Sequence, residues 1–389
     1  MKFVFYTNSI SPHQLPLARE LIRIFGEDGY RYIYTKPFTE ERRNIGWSTA
    51  NEKWIIAEFE QQAEARRTLE EADIVLSAVR DWDLFELRAK RGLLSIYTAE
   101  RWCKPPIGIL RFLTPTHFCH AWRLAKLMRT TDKVLCFPIG IHAAMDMVRL
   151  CGLVHGNLRC LFRTPRLEID GKPGGRIGLK NGADNKECCL DKMRIWGYYV
   201  EPSKGKGVWD AQPPTNHYPL TTIKVLWVGR LLNWKRVDTI VRAVGEHAKL
   251  QRVNASLPTI TLDIYGGGPA EAHLRKVAAQ YGDAVTFHPP VPIDEVRRLM
   301  REHDVYVLAS NGYEGWGAVV SEALEEGMKV LGTYEAGSSA TMLPEENLFH
   351  VGDWKTLEKL LSNGSNPSGI GAWTASSAAT FIQRLKTND

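Results

Sequence analysis

Residues 223–243 read IKVLWVGRLLNWKRVDTIVRA: an apolar, β-branched run, then a glycine and two cations, then a stretch of helical period. This is a strand, a tight strand end and a helix, the repeating unit of a parallel sheet covered by helices. The unit recurs downstream. TLDIY (261–265) precedes GGGP and a helix near Ala270 to Gln280, and VTF (285–287) precedes a helix near Asp294 to Glu302. DVYVLAS (304–310) precedes a glycine-rich loop and a helix near Gly317 to Glu326, and KVLGT (329–333) closes the series. The pattern predicts a doubly wound α/β domain.

The same alternation runs through the first half of the chain. KFVFYT (2–7), a helix from about Pro12 to Phe25, YRYIYT (30–35), a long polar helical stretch, ADIVLSA (72–78), a helix, LLSIYTA (93–99), KVLCFPI (133–139) and RIWGYYV (194–200) follow in order. IDGKPGGRIGL (169–179) interrupts them as a hairpin, because Asp170-Gly171 and Gly174-Gly175 are turn formers between apolar residues. A chain of 389 residues exceeds one ordinary core and suits two domains. The stretch 202–222, PSKGKGVWDAQPPTNHYPLTT, has no period and marks the boundary. The expected organisation is therefore a first domain over 1–203, a linker over 204–222 and a second domain over 223–371. The segment 372–389 carries a helical pattern from Trp373 to Leu385 that crosses back onto the first domain.

Composition narrows the class. Hydrophobic residues make up 44% and charged residues 24%, as in soluble globular proteins, which argues against a disordered chain. Every apolar run is broken by a charge, Gly or Pro before it reaches the roughly 18 residues of a membrane span, and the first residues lack the pattern of a secretory signal. The seven cysteines show no CxxC pair, so neither a zinc site nor a disulfide framework is expected and a reducing cytoplasm is. The net charge of +6 is concentrated in the first half, densest from Arg88 to Lys133. Nucleic acid, an anionic membrane surface or a phosphate-bearing substrate would answer to it, but no nucleic-acid module is recognisable and no nucleic-acid partner is expected. HAWRLAKLMR (120–129) reads as a helix apolar on one face and basic on the other, which suits peripheral attachment at the inner membrane surface. His117, His120 and His142 have the wrong spacing for a shared metal, and no metal site is expected.

In an open parallel sheet ligands bind beyond the carboxyl ends of the strands. After VLWV stand Gly229, Arg230 and Lys235; after TLDIY stands the glycine run ending at Gly268; after DVYVLAS comes Asn311 to Gly317, opening a helix that carries Glu322. Two cations at one strand end suit a diphosphate, with Arg as a planar fork and Lys as a mobile point charge. Gly315 and Gly317, on either side of Trp316, let the backbone come close, and amides at a helix start favour an anion. Glu314 and Glu322 are carboxylates able to accept hydrogen bonds from sugar or ribose hydroxyls.

The stretches VGRLLNWKRVDTIVRA (228–243), IYGGGPAEAHL (264–274) and 285–333 together resemble the donor domain of the family 4, or group 1, retaining glycosyltransferases of GT-B fold, whose Glu-x7-Glu is met by Glu314 and Glu322. The resemblance implies two facing Rossmann-like doubly wound domains with a cleft between them. It implies transfer of a hexose from a nucleoside diphosphate sugar to an acceptor hydroxyl, without a metal or other cofactor. Glu314 would face the transferred sugar, Glu322 would bind the ribose hydroxyls, and Arg230 and Lys235 would hold the pyrophosphate. Arg236 stands where the family usually has Gly, and Trp316 where it usually has Phe, which would narrow the sugar pocket. In the first domain, which resembles the family far less, His13 and Gln14 follow the first strand and Thr98, Glu100 and Arg101 follow LLSIYTA. These are the candidate acceptor-side residues, with Trp102 as a stacking platform for a sugar. The acceptor would be a sugar or a lipid-linked molecule, and the setting polysaccharide or glycolipid assembly. A GT-B epimerase or phosphorylase, or a nucleotide-sugar-binding protein without turnover, are the alternatives.

Overall fold

The computed structural model describes residues 1–37, 52–156, 166–179, 189–203, 222–363 and 373–385. Its contacts divide the chain into two compact units, Met1–Val200 with Ala372–Asp389, and Glu201–Gly371. Apart from Thr222, the expected linker lies outside the described residues. Among the described residues no helix is long and apolar enough to cross a membrane.

The first unit is built on a six-stranded parallel sheet. Its strands are β1 (Phe3–Thr7), β2 (Tyr30–Tyr34), β3 (Ile55–Ala57), β4 (Ile74–Ser77), β5 (Leu94–Ala99) and β6 (Val134–Pro138), in the order β3-β2-β1-β4-β5-β6. Helices α1 (Leu15–Phe25), α2 (Gln62–Glu71), α3 (Trp82–Lys90), α4 (Pro115–Thr130) and α5 (Ile141–Val154) cover it. β1 is buried at every position, as a strand covered on both faces must be. The expected hairpin is present as the antiparallel pair β7 (Leu167–Ile169) and β8 (Ile177–Leu179). RIWGYYV forms no strand: Trp196 makes an isolated parallel bridge to Ile139 and Arg194 an isolated antiparallel one to Arg176. The polar stretch read as helical contains β3, whose Ile56 is buried among Val4, Ile33 and Val75. The helix Ala375–Arg384 belongs to this unit, where Phe381 packs on Phe137 and Trp196.

Part of the basic run in this unit is absorbed by the fold. Arg88 on α3 is fully buried and donates to the carbonyls of Ala72 at 2.8 Å and Leu94 at 2.7 Å and to Ser95 Oγ at 2.9 Å. Burial pushes its guanidinium down to about 10. Arg88 therefore ties α3 to the strands beside it and is lost to any partner.

The second unit repeats the plan with β9 (Thr222–Val228), β10 (Thr259–Tyr265), β11 (Val285–His288), β12 (Val305–Leu308), β13 (Lys329–Thr333) and β14 (Leu348–Phe349), ordered β11-β10-β9-β12-β13-β14. Its helices are α6 (Val237–Val253), α7 (Glu271–Ala278), α8 (Ile293–Glu302), α9 (Val319–Glu325), α10 (Gly337–Met342) and α11 (Trp354–Ser362). The strand period of two divides the core. Val225 and Trp227 of β9 face one layer with Ile240, Val244 and Leu357, while Leu226 between them faces the other with Met300, Val320 and Leu324. Both layers are closed, so the free edge for chemistry is the line of strand ends.

Candidate active site

At the crossover between β9 and β12 in the second unit, the loops after the strands are pressed together backbone to backbone. A side chain on Gly266 would stand 1.9 Å from the carbonyl oxygen of Gly229, and one on Gly337 would stand 2.0 Å from that of Gly315. Only glycine fits either place. The Gly229 amide donates to Tyr265 O at 3.0 Å and the Leu231 amide to Gly267 O at 2.9 Å, which locks the β9 loop to the β10 loop. The Asn311 amide donates to Trp234 O at 2.9 Å, locking it also to the β12 loop. Gly268 accepts from the Glu271 amide at 3.0 Å as α7 begins.

These locks bring Lys235 to Glu314. Their side chains form an ion pair, 19% and 12% exposed, and Ser310 Oγ donates to the same carboxylate oxygen at 3.0 Å. Lys235 also lies 4.5 Å over the Trp234 ring. Two aromatic and hydroxyl neighbours thus hold a cation and an anion at the mouth of the strand ends. Arg230 is exposed on the same loop, and Glu322 is buried on α9. Glu314 and Glu322 share one electrostatic neighbourhood: burial pushes the Tyr306 phenol of β12 well up, and the charges of both carboxylates add to it. The arrangement offers cations for a diphosphate and carboxylates for hydroxyls within one group of loops.

Two expectations need correction, and one departure from the family finds its place. Trp316 is fully buried and gives its carbonyl to the Ser338 amide at 2.8 Å, so it supports the loop from beneath instead of narrowing an open pocket. The helix after the loop starts at Val319, two residues beyond Gly317, and is only seven residues long. The amides of Gly315 to Gly317 are therefore loop amides, and the pull of a helix dipole on an anion there is slight. Arg236, in the place of a usual Gly, has the left-handed conformation that position requires, φ 51° and ψ 38°. Its guanidinium is turned away onto Asp238, at 3.0 Å to both carboxylate oxygens.

In the first unit the candidate residues His13, Gln14, Glu100 and Arg101 line one cavity of about 450 Å³ beyond the ends of β1, β4 and β5. Gln14 accepts from the Tyr32 hydroxyl. Glu100 accepts from the Tyr198 hydroxyl at 3.0 Å and from Lys104 at 2.7 Å. Thr98, the buried penultimate residue of β5, also borders the cavity, with its hydroxyl donated to Phe137 O at 2.8 Å. Trp102 lines the cavity, but its ring carries the Arg80 guanidinium at 4.3 Å, which takes a face a sugar would need. Arg80, three residues past the end of β4, and Tyr198 were not singled out by sequence; the position of Arg80 after a central strand was the available signal. Ser310, the last residue of the DVYVLAS run, was likewise passed over. His120 accepts from Trp82 Nε1 at 2.8 Å and His117 pairs with Thr114 Oγ1 at 2.8 Å, both structural bonds. Among the described residues no group of three or more His, Cys, Asp or Glu could hold a metal ion. The α4 stripe also differs from expectation: Phe118 and Trp122 are exposed on the same stripe as Lys126 and Arg129, while Ala121, Leu124, Ala125 and Met128 face inward.

Known proteins resemble the chain in sequence and in fold. Residues 222–362 match the family model for glycosyl transferases group 1. Over 108 residues the chain is 31% identical to the GtfA subunit of the UDP-N-acetylglucosamine–peptide N-acetylglucosaminyltransferase of Streptococcus pneumoniae serotype 4, covering 28% of this chain. The chain spans 20% of that relative's length. Anabaena HepE, solved with UDP, superposes with a TM-score of 0.56 at 13% identity, covering 100% of this chain and 99% of HepE. The lipopolysaccharide outer core galactosyltransferase WaaB gives 0.55 at 13% identity, covering 99% of this chain and 95% of WaaB. Residues 222–362 are therefore similar to the group 1 glycosyl transferases, within a chain of GT-B fold.

Proposed function

We propose that the protein is a retaining glycosyltransferase that moves a hexose from a nucleoside diphosphate sugar to an acceptor hydroxyl. The observation that carries this reading is the joining of Lys235, Ser310 and Glu314 at the ends of β9 and β12, inside the matched family domain. HepE holds UDP and, in other crystals, glucose or UDP-glucose, which supports a diphosphate donor. In the proposed reaction the bond between the anomeric carbon and the diphosphate oxygen breaks, and the diphosphate keeps the electron pair. The acceptor oxygen bonds to that carbon on the face from which the diphosphate departs, and its proton passes to the departing diphosphate oxygen. Arg230 and Lys235 neutralise the charge that grows on the leaving diphosphate, where fixed cations are worth most. Glu314 takes hydroxyls of the transferred sugar and Glu322 those of the ribose. The first unit's cavity receives the acceptor, with His13, Gln14, Glu100 and Arg101 on its walls. Polysaccharide or glycolipid assembly is the proposed setting, in the cytoplasm.

Binding and hydrolysis across UDP-, GDP- and ADP-sugars, for wild type, Arg230→Ala and Glu322→Ala, test the reading. One preferred donor, lost in both variants, is expected; binding to none of them defeats it. The α4 stripe further supports attachment to an anionic membrane, since exposed Phe118 and Trp122 are followed by Lys126 and Arg129. Flotation with vesicles rich in phosphatidylglycerol, reduced at least several-fold in a Phe118→Ser, Trp122→Ser double variant, is the expected outcome; equal flotation of the two proteins would remove the attachment.

A further inference from the structure

The cavity of the first unit has a charge imbalance that a neutral sugar leaves unanswered. Arg80, Arg101 and Lys104 line it against a single lining carboxylate, Glu100. Glu100 is already engaged on both oxygens, by Tyr198 and by Lys104. Lys104 is thereby neutralised, which leaves the two guanidiniums.

Arg101 is 17% exposed along its side chain, and its Nε is buried without a hydrogen-bond partner among the described residues. Its nearest carboxylate, Asp146, stands 3.7 Å away, beyond hydrogen-bond length, and gives one oxygen to the Cys103 amide at 2.9 Å. A pair serving only the fold would close, because a buried unsatisfied donor costs about 1–3 kcal/mol. Arg80 is placed from the other side. Its guanidinium lies 4.3 Å over the Trp102 ring, and Nε donates to the Tyr97 hydroxyl at 3.3 Å. Tyr97 Oη also accepts from Trp102 Nε1 at 3.2 Å, so ring, phenol and guanidinium fix one another. Stacking sets the plane of Arg80, and among the described residues no carboxylate pairs with it. A planar guanidinium held in this way presents the remaining N–H edge as a fork for an oxyanion. The positive field is felt nearby: after burial, the Arg80 charge is the next cause that holds the His117 and His120 imidazoles below their ordinary value.

We infer that the ligand of this cavity is an anionic sugar, its phosphate or carboxylate held by Arg80 and Arg101. The inference rests on the reading of this cavity as the acceptor's, and it narrows that acceptor from any hydroxyl compound to one bearing an oxyanion. It does not depend on the donor site, so the two can fail separately.

The test measures binding of glucose, glucose 6-phosphate, glucuronate and inorganic phosphate to the full-length protein by ligand-observed NMR, with UDP binding followed in parallel. At low salt, glucose 6-phosphate or glucuronate is expected to bind at least tenfold more tightly than glucose, with the advantage shrinking as NaCl is raised. A greater gain with glucose 6-phosphate and with inorganic phosphate names a phosphomonoester; a greater gain with glucuronate names a carboxylate. Arg80→Gln, an exposed position that the fold tolerates, is expected to remove most of the advantage while UDP binding is unchanged. Arg101→Gln should do the same, with melting temperature showing whether it remains folded. Equal binding of charged and neutral sugars, absence of binding by every anionic probe, or an advantage that survives Arg80→Gln would overturn the inference. Failure of UDP alone to bind would count against the donor reading and leave this one standing.

Discussion

The two sheets have the same strand order, β3-β2-β1-β4-β5-β6 and β11-β10-β9-β12-β13-β14, yet what stands beyond their strand ends is unlike. In the second unit the strand ends carry glycines in backbone contact, with the Lys235–Glu314 ion pair beside them. In the first they are aromatics, hydroxyls and guanidiniums around a cavity of about 450 Å³. The alternation of apolar runs with helices gives both units a parallel sheet covered on its two faces, and here both sheets take the same order. The chemistry is written in the loops, and the two sets of loops suit different ligands: one a rigid frame for an anion, the other walls for a bulkier molecule.

The largest effect that sharpens this contrast is expected at Lys235. Lys235→Ala removes a cation from the leaving group and leaves Glu314 with only Ser310, so transfer should fall by about 10²–10³-fold in kcat. Gln14→Ala in the first unit removes a partner of Tyr32 and a cavity wall, and should raise the acceptor KM about tenfold with kcat little changed. Steady-state kinetics with donor and acceptor varied separately distinguish the two. If both variants lose kcat alike, the division of labour between the units is wrong.

Next in size is the backbone frame. Gly266→Ala forces a methyl group into the Gly229 carbonyl and should destabilise the second unit by about 3 kcal/mol or more, since neither backbone can yield without breaking the β9–β10 loop bonds. Gly171→Ala, on the first unit's hairpin with open space around it, should change stability by less than about 0.5 kcal/mol. Thermal unfolding of both variants measures the difference.

How much of this was legible in sequence follows from the same contrast. Glu314 and Glu322, Arg230 and Lys235 are legible as candidates because each sits in or just after a strand-end loop, where residue type and spacing point to the proposed chemistry. Ser310 was passed over because a serine closing an apolar run is indistinguishable from a strand residue until its hydroxyl is seen on Glu314. Arg80 was missed for a different reason: its role depends on Trp102 and Tyr97, brought together from a separate strand. RIWGYYV was read as a strand from its aromatics, but its residues serve as a wall and a cover beside β6, where side-chain packing overrides the local preference. The burial of Trp316 could not be read either, since glycines on both sides leave its direction to tertiary contacts.

Overlapping the frame effect in size, and dependent on pH, is the network at Glu326. Its side chain is 1% exposed and is bound by Arg297, by Arg301 at 2.9 Å and by Ser203 at 2.7 Å. Burial pushes the carboxyl up, but the bonds from Ser203, Arg301 and Arg297 outweigh it and hold it below the usual carboxylate range. A depressed carboxylate contributes stability above its unfolded value, near 4.3, and loses it as pH falls through the lower folded value. The second unit should therefore lose stability on acidification below about pH 4. Glu326→Gln should lower stability at pH 7 by about 2–4 kcal/mol and flatten that acid limb. Differential scanning calorimetry from pH 3 to 7 reads both; an unchanged acid limb in the variant would show that other carboxylates set it.

The smallest effect is expected at Arg236, where two opposing contributions nearly cancel. An L-residue held at φ 51° costs about 1–2 kcal/mol relative to an ordinary conformation. Glycine relieves that strain but loses about 0.5–1 kcal/mol through the freedom it regains in the unfolded chain, and it gives up the two bonds to Asp238. Arg236→Gly should therefore shift stability by less than about 1 kcal/mol in either direction. Arg236→Val keeps the strain, adds a β-branched side chain that tolerates this conformation worst and also loses Asp238, so it should destabilise by about 2 kcal/mol. Urea unfolding of the three proteins separates the backbone contribution from the charge: if Gly and Val variants fall together, the bond to Asp238 governs the position; if only Val falls, the left-handed turn before α6 does, and the frame that carries Lys235 to Glu314 is set by backbone shape in this loop as it is at Gly266.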